Sequence, residues 1–303
     1  MEVEIVKFFQ NLANSFFDIF FWLITKMGEE TFFLFVFAGI YLCYDKFFAV
    51  KYTFYYLMSV GVNTLVKGIV KRTRPYVAST EIENRLPASN YSFPSGHSQG
   101  YFVQATTGMI EINNKCNKKR FKIFVFCGLI IAGILVMISR MYWGQHYLTD
   151  VIVGMMFGIS IPFVLDFIFS KIPKSFKDKF TQDRIFLIIG VLSMIVSLVC
   201  FMLEFGIGFY SRKVYKFSAI LLAMSLGYFL DAKYIKFEPK QGWVWGIFKF
   251  LIVVVVLGGL YYLMTLFIPL KGFFYFVIYF VLGIVGTVAL PAIFKVISIK
   301  SKK

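Results

Sequence analysis

An all-α, polytopic integral membrane protein is the fold class this sequence predicts, on three observations. Hydrophobic residues make up 59% of its 303 positions, and phenylalanine alone occurs 39 times. Mean hydropathy is +0.74, and a soluble domain of this composition would expose too much apolar surface. The apolar residues also fall in long runs, at 121–139, 151–170, 185–201 and 243–267. Those runs approach or exceed the roughly 20 residues that carry a helix across a bilayer. They hold too few turn residues to be a set of short strands. Of the two backbones that satisfy themselves in lipid, the helix is the one that fits.

The elements follow in order. The first segment, about 5–26, is apolar but carries Gln10, Asn14 and Asp18 on one helical stripe. It either spans with that stripe facing the bundle or lies in the interface, and spanning is the favoured expectation. Further spans are predicted near 30–45, 47–66, 95–111, 121–139, 150–170, 185–209, 217–231, 243–267 and 272–295. That makes about ten.

The formal net charge of +16 raises the possibility of a nucleic-acid partner. Its distribution argues against one, because most Lys and Arg sit in short loops between apolar runs, as topology signals do. Lys115, Lys118, Lys119, Arg120 and Lys122 mark one cytoplasmic connection. Lys171, Lys174, Lys177, Lys179 and Arg184 mark another, two spans later. Arg212, Lys213 and Lys216 fall on the opposite side and go against the rule. Cys43, Cys116, Cys127 and Cys200 are scattered, so neither a disulfide framework nor a metal site is expected. No cleavable leader is expected either: the first residues are acidic and no small-residue cleavage site follows.

Opposite the cytoplasmic loops, three distant patches share one membrane face: "KGIVKRTRP" at 67–75, "PSGH" at 94–97 and "SRMYWGQHYLTD" at 139–150. The connection 67–94 is basic although it lies on the wrong side for a topology signal, and a bound anion is the natural reason. Lys67, Arg74 and Arg140 form a tripod for a tetrahedral oxyanion, two planar forks and one compact charge. Pro94, Ser95 and Gly96 open a helix whose N–H groups and dipole cradle a phosphate. Gly96 allows close approach, and Ser95 can add a hydroxyl donor. His146 and Asp150 stand i, i+4 on one helical face. The carboxylate can hold Nδ1–H and leave Nε2 free to attack. The only other histidine, His97, can protonate the leaving oxygen. No cofactor or metal is implied.

These patches, Lys67-x6-Arg74-Pro75, Pro94-Ser95-Gly96-His97 and Ser139-Arg140-x5-His146-x3-Asp150, resemble the three-part signature of the type 2 phosphatidic acid phosphatases. That superfamily also holds bacterial class A acid phosphatases and vanadium haloperoxidases. The resemblance covers about 30–170. It implies a six-helix catalytic core with its site at the extracytoplasmic face, the two histidines and Asp150 in the roles just derived, and Lys67, Arg74 and Arg140 on phosphate. Gly28-Glu29-Glu30 resembles the sphingosine-1-phosphate phosphatase branch. The organisation expected is then an N-terminal helix at 1–29, the catalytic core at 30–170 and about four additional transmembrane helices at 171–303.

The leading functional expectation is a plasma-membrane, metal-independent phosphatase acting through a phosphohistidine on a lipid phosphate or diphosphate. Phosphatidate, a polyprenyl diphosphate, phosphatidylglycerol phosphate and a sphingoid-base phosphate all fit. A soluble ester such as a sugar phosphate, vanadate-based oxidation, and non-enzymatic phospholipid binding or transport remain as alternatives. Other polar residues receive plainer readings. Lys71 and Arg72 are read as interface anchors, Tyr142 and Trp143 as an aromatic belt, and Asp166 and Lys249 as snorkelling. Glu29 and Glu30 are read as solvated, and Glu204 as a partner for Arg212 or Lys213.

Overall fold

The computed structural model describes residues 1–86, 88, 90–171, 182–202, 209–239, 242–269 and 272–300. Among them the chain is helical, with no strand. The protein is an all-α, multi-pass integral membrane protein. Five helices among the described residues are long and apolar enough to cross a membrane: Lys119–Tyr142, Leu148–Lys171, Lys213–Ile235, Val244–Phe267 and Phe274–Ser298. Except in Lys213–Ile235, most of their residues are not buried, as with Phe124 at 78% exposure and Phe267 at 84%, which suits lipid-facing surfaces.

By internal contacts the chain divides into two units, one of residues 1–34 and 55–171, the other of 35–54 and 172–303. The first begins with two short helices, α1 (Glu2–Asn11) and α2 (Ser15–Lys26), where the hydropathy pattern suggests one span. Asn14 makes the break: its backbone is extended and its side chain accepts the Phe17 N–H at 2.9 Å. At 10 and 12 residues, the two helices are about 15 and 18 Å long. Neither crosses a hydrocarbon core of about 30 Å. The polar stripe faces protein: Gln10 exchanges bonds with the Glu83 backbone, and Asp18 accepts from Tyr142 and Arg85.

α3 (Glu30–Cys43) and α4 (Lys46–Val70) follow, then a single turn, α5 (Pro75–Ala78). The core of the first unit is completed by α6 (Gly96–Lys115), α7 (Lys119–Tyr142) and α8 (Leu148–Lys171). Glycine brings these helices close. A Cβ added at Gly154 of α8 would lie 2.6 Å from the Ser95 carbonyl, and one at Gly158 would lie 2.7 Å from the Gln99 carbonyl. The two glycines are one turn apart, so one face of α8 meets the α6 backbone. Val6, Ile82, Tyr101, Phe102, Val136 and Val151 fill the interior. Asp166, expected to snorkel, accepts from the Tyr55 hydroxyl.

The second unit contains α9 (Gln182–Met202), α10 (Phe209–Leu230), α11 (Trp243–Phe267), α12 (Phe274–Ile284) and α13 (Leu290–Lys300). Two π-helical turns, Asp231–Ile235 and Val285–Ala289, extend α10 and join α12 to α13. Each admits a polar side chain. Asp231 is fully buried, pairs with Lys46 and accepts the Phe237 N–H at 3.0 Å. Thr287 donates to the Gly283 carbonyl at 2.7 Å. Lys249 was expected to snorkel but is 1% exposed. Its ammonium donates to the Leu42 and Pro239 carbonyls at 2.9 and 3.0 Å, over the Phe237 ring. Lys216, expected to go against the charge rule, lies 5.2 and 5.1 Å from the Tyr275 and Tyr279 ring centroids. Glu204 lies outside the described residues.

Candidate active site

The three sequence patches meet in the first unit. α4 ends at Val70 and carries Lys67 in its last turn. Arg74 sits at the N-cap of α5, with Pro75 at the first helical position, where its missing N–H costs nothing. Ser95 caps α6, so Gly96 and His97 occupy its first turn. Arg140 lies in the last turn of α7, and Asp150 in the first turn of α8. His146 stands in the loop between them. Gly144 makes that loop possible: its φ of +72° is a left-handed conformation, and a Cβ there would lie 2.5 Å from the Glu83 carbonyl.

Hydrogen bonds join the patches. Lys67 Nζ donates to the carbonyls of Tyr91 and Ser92 at 2.7 and 3.2 Å. Arg74 Nε donates to the Asn90 carbonyl at 2.8 Å, and its Nη1 donates to the Gln145 carbonyl at 2.9 Å. The same Nη1 lies 3.3 Å from His146 Nε2. The Ser95 N–H donates to the Asp150 carbonyl at 2.9 Å, which ties the start of α6 to the start of α8.

The environment is buried and cationic. Lys67, Arg74, Arg140 and His146 are each at most 7% exposed, and Asp150 is at 0%. Burial first, then the charges of Arg74, Lys67 and Arg140, push the His146 imidazole well below its ordinary value. The ring is therefore neutral at pH 7. A guanidinium only donates, so the Nε2 facing Arg74 is the unprotonated nitrogen and Nδ1 carries the proton. Nδ1 faces Asp150 Oδ2 at 3.6 Å, longer than a hydrogen bond. Ser92 Oγ, 3.5 Å from Nδ1, donates to that same carboxylate oxygen. The Tyr147 N–H adds a bond to Oδ2 at 2.8 Å.

Arg140 Nη1 donates to the Thr25 hydroxyl at 2.5 Å, while its Nε is buried without a partner. A buried guanidinium N–H left unpaired costs free energy that an anion would recover. Ser95 Oγ accepts from the Ser98 N–H at 3.4 Å and from the Ser98 hydroxyl at 3.1 Å, so its oxygen serves as the helix cap. A Cβ at Gly96 would meet only Asn63 Oδ1, at an ordinary 3.5 Å. Helix packing therefore does not demand glycine there. His97 is half-buried, with Gly28 packed against its Cβ and carbonyl.

Several side chains here went unrecognised in the sequence. Arg72, taken for an interface anchor, donates to Asp150 Oδ1 at 2.9 Å. Tyr142 and Trp143, taken for a lipid-facing belt, are buried at 0% and 6% against Phe21. Ser92 and Thr25 carried no motif signal at all. Among the described residues no group of three or more His, Cys, Asp or Glu side chains could hold a metal ion.

In the first unit, membrane helices and the loops between them gather two arginines, a lysine, and a buried histidine beside an aspartate. Residues 48–172 match the family described as "PAP2 superfamily". Residues 215–302 match "PAP2 superfamily phosphatase, transmembrane extension". The chain belongs to the PAP2 superfamily. It is 31% identical over 121 residues to phosphatidylglycerophosphatase B of Bacillus subtilis, covering 39% of this chain and 56% of that one. It is 32% identical over 104 residues to dolichyldiphosphatase of Saccharomyces cerevisiae, covering 34% and 44%. The chain thus spans about half the length of the curated relatives it matches. A solved PAP2 type phosphatidylglycerolphosphate phosphatase from Bacillus subtilis aligns with a TM-score of 0.49 and 23% identity, covering 57% of this chain and 86% of that one.

Proposed function

We propose that this protein is a membrane phosphatase that hydrolyses lipid phosphate or lipid diphosphate esters, with its site at the extracytoplasmic face of the plasma membrane. The observation that carries the reading is the 3.3 Å approach of Arg74 Nη1 to His146 Nε2. It sets an unprotonated ring nitrogen beside the cation that would hold a phosphoryl oxygen. His146 Nε2 attacks phosphorus, the P–O bond to the lipid breaks, and a phosphohistidine forms. Water then attacks the phosphohistidine and releases phosphate. Asp150 and Ser92 hold the Nδ1 side of the ring and stabilise the positive charge that develops there. Lys67, Arg74 and Arg140 neutralise the equatorial oxygens, with the N–H groups at Gly96 and the start of α6 completing the cradle. His97 protonates the departing oxygen. The matched relatives carry phosphatidylglycerophosphatase and dolichyldiphosphatase names, which supports a lipid ester over a soluble one.

The test is phosphate release by the purified protein in micelles. The panel comprises phosphatidate, phosphatidylglycerol phosphate, a polyprenyl diphosphate and a sphingoid-base phosphate, with glucose 6-phosphate as control. Turnover of at least one lipid and little of the sugar ester is expected. His146→Ala should abolish turnover on every substrate. His97→Ala should lose about 10²–10⁴-fold on alkyl esters and much less on p-nitrophenyl phosphate, whose leaving group needs no proton. Phosphate trapped on His97, or equal loss on both esters, would reverse or sink the assignment.

A further inference from the structure

We propose that Glu2 and Arg72 form a positioning relay for Asp150, so that the N-terminal helix α1 sets the orientation of the histidine in the site. The proposal rests on the reading of His146 as nucleophile. Neither residue belongs to the motifs that identify the family, and α1 lies outside the matched segment 48–172.

The geometry assigns each carboxylate oxygen a separate task. Asp150 Oδ1 accepts from Arg72 Nη1 at 2.9 Å. Oδ2 accepts from the Tyr147 N–H and from Ser92, and faces His146 Nδ1. Arg72 is fixed from three sides. Its Nη1 also donates to Thr149 Oγ1 at 2.7 Å, its Nη2 pairs with the Glu2 carboxylate, and its plane lies 4.0 Å from the Tyr147 ring centroid. Glu2 Oε1 in turn accepts from the Thr149 hydroxyl at 2.6 Å and the Thr149 N–H at 3.2 Å, at the start of α8.

Rotation of an Asp carboxylate about its last torsion is soft. Without a donor on Oδ1, only the Tyr147 N–H and Ser92 hold Oδ2 toward the imidazole. A guanidinium can bind Asp150 and Glu2 through two nitrogens of one rigid plane, which an ammonium cannot reproduce. The charges oppose one another in a way an experiment can read. Arg72 offsets part of the Asp150 charge felt by His146, and Glu2 offsets part of Arg72. The other charged groups facing His146 are Lys67 from α4, Arg74 from α5 and Arg140 from α7.

The chain has only two histidines, so the His146 ring can be followed directly. The experiment is ¹⁵N-histidine NMR of the full chain in micelles, with His97→Gln used to assign the signals, alongside kcat and KM. Arg72→Ala should move the His146 titration to higher pH and lower kcat by about tenfold or more with little change in KM. Arg72→Lys should recover part of that loss. Glu2→Gln should shift the titration the other way and should add nothing in the Arg72→Ala background. Lys7→Ala removes the α1 ion pair with Glu81 and should leave both readouts near wild type. A wild-type titration and kcat in Arg72→Ala, or additive effects of Glu2→Gln, would overturn the relay. If the wild-type chain turns over no phosphate ester, the phosphatase reading fails, while the titration shifts still decide the relay.

Discussion

Replacing Gly154 by alanine tests whether the close approach of α8 to α6 builds the site. The added Cβ would lie 2.6 Å from the Ser95 carbonyl, 3.2 Å from Ser98 Cβ and 3.3 Å from the Gln99 N–H nitrogen. Ordinary contact begins near 3.4 Å, so the helices must part by about 0.8 Å. The atom in the way is backbone and cannot swing aside. The strain falls where the Ser95 N–H donates to the Asp150 carbonyl. On one side of that bond stand Gly96 and His97, and on the other Asp150 and His146. A misplacement of about 1 Å in an active site costs on the order of 10²-fold in rate. Gly154→Ala should therefore lower kcat/KM by about 10- to 100-fold.

The control is Gly128→Ala on α7, where an added Cβ meets nothing within 4 Å. Both substitutions gain about 0.5–1 kcal/mol of helix propensity, so any difference between them comes from packing. The assay is kcat/KM on the best lipid substrate, with the detergent melting temperature showing that each variant is folded at the assay temperature. Gly128→Ala should match or slightly exceed wild type in stability and retain its rate. A folded Gly154→Ala with kcat/KM within about twofold of Gly128→Ala would refute the reasoning, since a displacement of that size could not leave the site intact.

Three further outcomes are expected. The His146 pKa lies below its ordinary value of 6.5, and attack needs the neutral ring, so activity is lost only as pH falls through that lowered value. The acid limb of kcat/KM, corrected for ionisation of the substrate phosphate, should fall below pH 6.5, and a limb above 6.5 contradicts the burial argument. Hydrolysis should survive excess EDTA and be inhibited by vanadate, because Lys67, Arg74 and Arg140 supply the positive charge; activity lost to chelator and restored by Mg²⁺ would refute this. Lys249→Ala should destabilise the protein by about 1–3 kcal/mol by leaving buried carbonyls unpaired, read as a lower melting temperature in detergent, and an unchanged value would show that those bonds contribute little.

What the sequence made legible, and what it hid, divides along one physical line. Lys67, Arg74, His146 and Asp150 drew attention through short local spacings: Asp150 stands four positions after His146, which precedes α8 rather than lying on it, and Arg74 stands at the N-cap of a turn begun by Pro75. The spans at 119–142 and 148–171 were legible too, because lipid imposes long uniform hydropathy that a soluble core does not. The partners that orient the site were not legible, since they are joined only by folding. Ser92 meets Asp150 across 58 positions, Arg72 meets Glu2 across 70, and Arg140 meets Thr25 across 115. No periodicity encodes those separations.

The same distinction explains the residues whose surroundings were misjudged. Tyr142, Trp143, Arg72 and Lys249 were assigned to the membrane interface because their types are common there. Type alone cannot tell an aromatic at a span end that faces headgroups from one covered by a neighbouring helix. In this protein α2 supplies the cover, through Phe21 against Tyr142 and Asp18 against its hydroxyl. The break at Asn14 separates α1, whose Glu2 pairs with Arg72, from α2, whose Thr25 accepts from Arg140. α1 thus reaches Arg72, which holds Asp150, and α2 reaches Arg140, one of the cations around the proposed phosphate. Asn14→Ala removes the Phe17 cap and should weaken α2 by about 1 kcal/mol, with kcat falling further than the melting temperature alone accounts for. Equal, proportionate losses of stability and rate would leave α2 as cover and nothing more.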